Sequence, residues 1–337
     1  MAVEKHMPAV AGVKSIDVVA AADSDPARLR YVERRFGVLH KFASLDQLLQ
    51  HDELDAVALC LPPALQARAA IAALDAGKHV WIDPPIGLSA EECDSLIARA
   101  ARSDRIVIAG FHMRWHRLVR QARETVESGR LGTVQTIRAV WNSPRNEDTL
   151  REWRRHRATG GGALVEIAMD HFDLWRYILG TEISEMFAVA AHGRWEDESA
   201  VLSGRMSDGV LFSAVLSERA SHDIEIEICG RKGRLRVSLI RFEGLEFYET
   251  MTMPSEPRAR LGRLAHFFGE LPRALPRMHR AGDYRSSYRD QWIHFEKCIR
   301  TGNLVQSTLL DARHAFAAVL AAEESADTNR SVTVKSI

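Results

Sequence analysis

"LDAVALCLPPALQARAAIAALDAGKHVWID", residues 54–83, decides the fold, because it holds two unlike periodicities in immediate succession. LDAVALCL is a short apolar run with no polar alternation, as a strand covered on both faces reads. ALQARAAIAALDAGK is a good helix former closed by Gly77, and HVWID is apolar and strand-like again. Strand, helix and strand at this spacing make a βαβ unit, whose two strands are parallel.

Working outward, the rhythm repeats. IDVVAAADSDP (16–26) reads as a strand ending at its loop, and PARLRYVERRFGV as a helix with Pro26 in its first turn and Gly37 as its stop. SAEECDSLIARAARSD begins a further helix at Ser89, and RIVIAGF is another strand. The expectation is an α/β fold, a Rossmann-like doubly wound parallel sheet over residues 1–116. Beyond residue 117 the runs TVQTIRAVWN, FAVAAHGRW, SAVLSGRMSDG, VLFSAVLSERA, HDIEIEICGRKG and RLRVSLIR follow one another through tight turns. They predict an α+β domain over 117–337 with a large, mostly antiparallel open sheet. Helices within 287–326 are expected to pack back on the first domain. The Arg- and Pro-rich segment 255–289 reads as a solvated connection or subunit contact, not an anion site.

The chain has 337 residues, enough for two cores. Lys plus Arg and Asp plus Glu both number 45, so no net field draws in nucleic acid or an anionic membrane. The four cysteines form no CxxC pair, which argues against a metal site or disulfide framework and fits a reducing cytoplasm. No apolar run approaches the roughly 18 residues a spanning helix needs, and the N-terminus lacks a signal-peptide core. Small molecules and further copies of the chain are the expected partners, and the expected compartment is cytoplasmic.

Doubly wound sheets bind ligands beyond the carboxyl ends of their strands. Asp23 sits at such an end, where it either hydrogen-bonds an adenosine ribose, favouring NAD over NADP, or caps the next helix. The residues leave both open. The glycine fingerprint expected before Asp23 is absent, and MAVEKHMPAV reads as a first helix with no strand in front of it. Loss of a central strand would leave backbone groups unpaired in the core, so a strand and glycine loop are expected upstream of Met1. Binding of NAD or NADP is conditional on that strand.

Taken as a set, VVAAADSDP, LDAVALCLPP, AALDAGKHV, GFHMRWH, GRLGTVQTIRA, EWRRHRATGGGAL, HFDLWRYILG, ICGRKGRLRV, FEKCIRTG and AEESADTNRSVTV resemble the glucose-fructose oxidoreductase and inositol dehydrogenase (Gfo/Idh/MocA) family over nearly the whole chain. The resemblance implies a Rossmann domain that binds NAD or NADP and a second domain with a large antiparallel sheet. It implies oxidation or reduction of sugars or cyclitols, and homodimers or homotetramers joined through the open sheet face. By position, Asp23 matches the ribose-binding acid, and Leu61, Pro62 and Pro63 match a turn along the cofactor, with Gln66 in place of a usual histidine. Arg114, Trp153 and Arg154 match residues bordering the substrate.

Hydride removal from a carbinol needs a group that takes the hydroxyl proton. The family's lysine lies in a Glu-Lys-Pro turn, and here the turn is Asp83-Pro84-Pro85. Pro84 carries no titratable group, so Asp83 is the turn's acid, while Pro85 can keep a cis corner against the cofactor. The family's second element is an acid followed four residues later by a histidine. Here those positions are Glu166 and Asp170, with His171 displaced by one. On one continuous helix Glu166, Asp170, Asp173 and Tyr177 share a stripe. Buried carboxylates are costly unless they face a pocket, water or a cation. Glu166 and Asp170 are therefore expected to face the site rather than pair with Arg114 or Arg154, and Asp173 to make a structural hydrogen bond. His171 is expected to be a satisfied flank histidine, reaching substrate only through a one-residue helix irregularity. His112 is the alternative proton carrier.

The leading function is an NAD(P)-dependent oxidoreductase in which Asp170, Glu166 or His112 moves the proton. The alternative is a catalytically retired member serving as a ligand-binding, regulatory or partner subunit. A lyase or hydrolase built on two carboxylates ranks last.

Overall fold

The computed structural model describes residues 2–241, 244–252, 256, 257, 260–262, 264, 265, 268, 269, 271, 272 and 282–335. The chain divides into two compact units, Met1–His112 with Tyr288–Arg313, and Met113–Ser287 with His314–Ile337.

In the first unit a π-helical turn, Ala2–His6, runs into α1 (Met7–Val10). There follow β1 (Ala20–Ala22), α2 (Pro26–Phe36), β2 (His40–Phe42), α3 (Leu45–Leu49), β3 (Ala56–Leu59), α4 (Pro63–Asp75), β4 (His79–Ile82), α5 (Ala90–Ala100) and β5 (Val107–Ala109). All strand pairs here are parallel, but they fall into two sheets, β1-β2 and β3-β4-β5. Among the described residues no strand joins the two. Val80, Trp81 and Ile82 of β4 are fully buried, because β4 is central in its sheet and covered on both faces. Ser89 begins α5 by accepting the backbone N–H of Glu92, as a helix N-cap does. Residues of the C-terminal region complete the edge of β5: the Ala109 N–H donates to the Ser307 carbonyl, and the Ala109 carbonyl accepts from Ser307 Oγ at 2.7 Å and from Gln291 Nε2 at 3.0 Å. His6 packs edge-on against Trp81 and Tyr288, and burial pushes its pKa down to about 3, so the ring is neutral.

The second unit begins with α6 (Arg117–Glu127) and β6 (Val134–Asn142), then α7 (Ala163–Glu166) and α8 (Ala168–Leu179). β7 (Ile183–Ala191), β8 (Ser199–Met206), β9 (Leu211–Ser217), β10 (Asp223–Gly230), β11 (Gly233–Ser238) and β12 (Leu245–Glu249) follow without intervening helices. The chain closes with α9 (Gly282–Thr301), α10 (Leu309–Thr328) and β13 (Val332–Thr333). The sheet has eight strands in the order β12-β11-β10-β6-β9-β8-β7-β13, antiparallel throughout except for β6 with β9. Strand alternation gives it two unlike faces. Ala188, Leu202, Ala214 and Ala139, paired in register, are buried on the side where α7 meets β8 and β9. The next register row, Val189, Val201, Val215 and Val140, lies on the open side, where the first three are exposed.

One expectation needs correction. The helix read over 160–180 is not continuous: α7 ends at Glu166, Ile167 departs to φ −98°, and α8 starts anew. Glu166 and Asp170 therefore do not share an unbroken stripe. Part of the segment 255–289, including residues 273–281, lies outside the described residues, and from Gly282 onward it is helical.

Candidate active site

The carboxyl ends of β3 and β4 carry two turns of the first unit. Leu61, Pro62 and Pro63 lead from β3 into α4. Asp83, Pro84 and Pro85 follow β4, with a cis bond between the prolines. Gln66 is buried and ties these turns together, its Nε2 donating to the Asp83 carbonyl at 2.8 Å. Its Oε1 is buried without a hydrogen-bond partner. Asp23 follows β1, in the other sheet. Its Oδ1 accepts the N–H of Asp25 at 2.9 Å, and Arg28 lies 3.4 Å from its Oδ2. The cap of α2 is Asp25, which accepts from Ala27, so capping does not consume Asp23. His112 is buried and stacks on Tyr288 with ring centroids 3.7 Å apart.

Among the described residues two trios bring ligand-type atoms within 4.8 Å of one another: His6, Cys60 and Asp83, and His40, His51 and Glu53. In each, one histidine Nδ1 already accepts an N–H, from Trp292 in the first and from the Glu53 backbone in the second. A neutral ring in that state carries its proton on the nitrogen a metal would need.

In the second unit Arg114 is buried and grips Asp173 with both edges of its guanidinium, Nε to Oδ2 at 2.8 Å and Nη2 to Oδ1 at 2.5 Å. It lies over the Tyr177 ring as well. Its fork serves a buried bidentate pair. Asp173 makes the structural bond expected of it.

Glu166 is where charge concentrates. Its side chain is 9% exposed, and its Oε2 lies 2.7 Å from Arg154 Nη1 and 2.9 Å from Arg145 Nη2. The carboxylate was expected not to pair with Arg154, and it does; a buried anion without such a cation would be far costlier. Its Oε1 is buried with no hydrogen-bond partner. Burial raises its pKa to about 7 against the opposing pull of Arg154 and Arg145, with Glu218 adding to the rise. The Gly-rich turn lets this corner close. A Cβ on Gly161 would meet the Arg154 carbonyl oxygen at 2.2 Å, and one on Gly162, at φ +84°, the Glu196 carbonyl oxygen at 2.8 Å. Ala163 N–H then bonds Asp197 O at 2.8 Å, and Arg157 holds the Asp197 carboxylate with Nε and Nη2.

Trp153 lies under the Arg154 guanidinium, and its Nε1 is buried without a partner. Asp170 sits part-buried in the first turn of α8. His171 differs from its expected state. It is fully buried between Trp141 and Trp175, and neither ring nitrogen has a hydrogen-bond partner. It is not the satisfied histidine expected, and burial lowers its pKa to about 3. Arg145 and Glu218 were not singled out from the sequence. They stand 73 residues apart in "SPRNE" and "LSERA", and nothing in either stretch marks them.

Comparison with known proteins gives two family matches. Residues 1–111 match the Gfo/Idh/MocA oxidoreductase family's NAD-binding Rossmann fold, and residues 119–236 match its C-terminal domain. The chain is 27% identical over 339 aligned positions to myo-inositol 2-dehydrogenase of Thermotoga maritima, covering 96% of this chain and 94% of that one. It is 23% identical to scyllo-inositol 2-dehydrogenase (NAD(+)) of Bacillus subtilis, covering 90% and 84%. The WlbA dehydrogenase of Bordetella pertussis, solved with NADH and UDP-GlcNAcA, shares the fold with a TM-score of 0.82 at 19% identity, covering 100% and 95%. The chain belongs to the Gfo/Idh/MocA oxidoreductase family.

Proposed function

We propose that this protein is an NAD(H)-dependent oxidoreductase that moves a hydride to or from a carbinol carbon of a sugar- or cyclitol-like substrate, with Glu166 carrying the hydroxyl proton. Support for the substrate class comes from relatives named as inositol dehydrogenases. The observation that carries the proton assignment is the state of Glu166: one carboxylate oxygen held by two arginines, the other buried and bare, with an acidity near neutrality. This reading supplies a proton carrier although Pro84 stands where the resemblance puts the family's lysine. Asp170, His112 and Asp83 are the remaining candidates for that role.

The first unit fits a dinucleotide at particular residues. Asp23 offers a part-exposed carboxylate after β1, Gln66 offers a buried oxygen without a partner, and Leu61, Pro62, Pro63 and Pro85 form the turns after β3 and β4. When bound, the nicotinamide supplies the hydride acceptor or donor. In the oxidative direction the substrate O–H breaks toward Glu166 Oε1 as the carbinol C–H leaves as hydride and C=O forms. Arg145 and Arg154 hold the other carboxylate oxygen and fix the direction in which the first receives the proton. Arg28 beside Asp23 offers a cation to a 2′-phosphate, so the preference for NAD over NADP rests on Asp23 alone. The valine row on the open sheet face, continued by exposed Phe187 and Leu211, supports association of copies through that face.

Titrating the protein with NADH and NADPH by fluorescence, then assaying myo-inositol, scyllo-inositol and aldose oxidation with NAD+ and NADP+, tests the reading. Cofactor binding with turnover of a cyclitol or sugar is expected. Failure to bind either cofactor overturns it.

A further inference from the structure

Behind Glu166 runs a part-buried chain of contacts that reaches the far end of β9. Trp195 Nε1 donates to Glu218 Oε2 at 2.8 Å, Arg145 Nε donates to Glu218 Oε1 at 3.1 Å, and Arg145 Nη2 donates to Glu166 Oε2 at 2.9 Å. The Glu218 side chain is only 2% exposed. Its backbone is pinned as well, because its N–H bonds Glu198 O and its carbonyl accepts from Arg145 N–H, each at 2.8 Å. One guanidinium is thus divided between two carboxylates, its ε edge on Glu218 and an η nitrogen on Glu166. The groups facing Glu166 are Arg145 from the segment after β6, Arg154 from the turn Glu152–Arg155, and Glu218 from the end of β9. Tyr284 lies beside Arg145, and Asp170 lies on the following helix.

We propose that Glu218 is a positioning residue for Glu166: it fixes Arg145 by the Nε edge and takes up part of its charge, limiting the positive field at the Glu166 carboxyl. Two cations and one anion surround Glu166 with Glu218 in place. Neutralising Glu218 leaves two cations unopposed, which stabilises the Glu166 carboxylate. Glutamine at 218 keeps the shape and an oxygen for the Trp195 N–H, so packing is retained while the charge is lost. The proposal rests on the reading of Glu166 as proton carrier.

The test follows the carboxyl stretching band of Glu166 by infrared difference spectroscopy against pH in the resting protein, the band being identified by its loss in Glu166→Gln. In Glu218→Gln the midpoint is expected to move down by about one pH unit, a tenfold stronger acid. Arg145→Gln tests the link from the other side and is expected to move it up. A merely structural role of Glu218 would lower the melting temperature and leave the Glu218→Gln midpoint in place. An unmoved midpoint in folded Glu218→Gln overturns the proposal. If it moves while Glu166→Gln keeps full turnover, the proton-carrier reading fails and the link between Glu218 and Glu166 stands.

Discussion

Arg154 Nη1 stands 2.7 Å from Oε2 of Glu166, and among the described residues no hydrogen-bonding group meets the other oxygen of that carboxylate. The pair is stabilised without being saturated, since burial opposes ionisation while two guanidiniums favour it. Removing one cation should tilt the balance. Arg154→Met is expected to shift the ascending limb of the oxidative pH–rate profile to higher pH, about one unit or more. An unchanged profile would mean that Arg154 does not set the acidity of the group that limits turnover.

Arg114 and Asp173 form the most buried ion pair around α8, with side-chain exposures of 7% and 1%. Deleting one partner strands a charge. Asp173→Ala is expected to destabilise the protein by about 3 to 5 kcal/mol, whereas replacing both partners by apolar residues of similar volume should recover much of that loss. Chemical denaturation of the two single variants and the double variant measures the coupling. Simple additivity would contradict it.

His171 links stability to pH. Its folded pKa, about 3, lies below the ordinary histidine value near 6.5, so the unfolded chain binds the proton more readily. The contribution of neutral, buried His171 is therefore whole above about pH 6.5 and fades as pH falls toward 3, by up to on the order of 4 kcal/mol. His6 adds to the same loss, since its pKa is lowered alike. His171→Phe removes two unsatisfied ring nitrogens and should raise the melting temperature at neutral pH while flattening the acid side of the stability curve. A lower melting temperature at both pH values would contradict this account.

Asp23 and Arg28 lie 3.4 Å apart. In the cofactor site proposed above, the carboxylate would favour a ribose 2′-hydroxyl and the guanidinium a 2′-phosphate. Asp23→Ser is expected to weaken NADH binding about tenfold and to improve NADPH relative to it, read by fluorescence titration. Equal loss for both cofactors would show that Asp23 acts on the fold and not on the ribose.

What could be read in the sequence was local. The βαβ reading of 54–83 holds because a strand's burial and a helix's capping depend on neighbours a few residues away: β4 is buried at Val80, Trp81 and Ile82, and Ser89 caps α5. The structural bond of Asp173 was legible from its burial cost, but its partner, Arg114, lies 59 residues away, beyond any local pattern. The break at Ile167 carries no proline or glycine to announce it, so the stripe from Glu166 to Tyr177 looked continuous. The arginines on Glu166 and the glutamate behind them are set by how loops fold over the sheet, and no periodicity records that.

Initial rates of NAD+ reduction with the best sugar or cyclitol substrate, followed through the neutral pH range for the native protein and Glu166→Gln, test the central claim most directly. The account predicts a native rate that rises through a midpoint near pH 7, where Glu166 loses its proton, and a variant reduced about a hundredfold or more with that rise abolished. A Glu166→Gln protein that keeps both its turnover and its pH profile would contradict it.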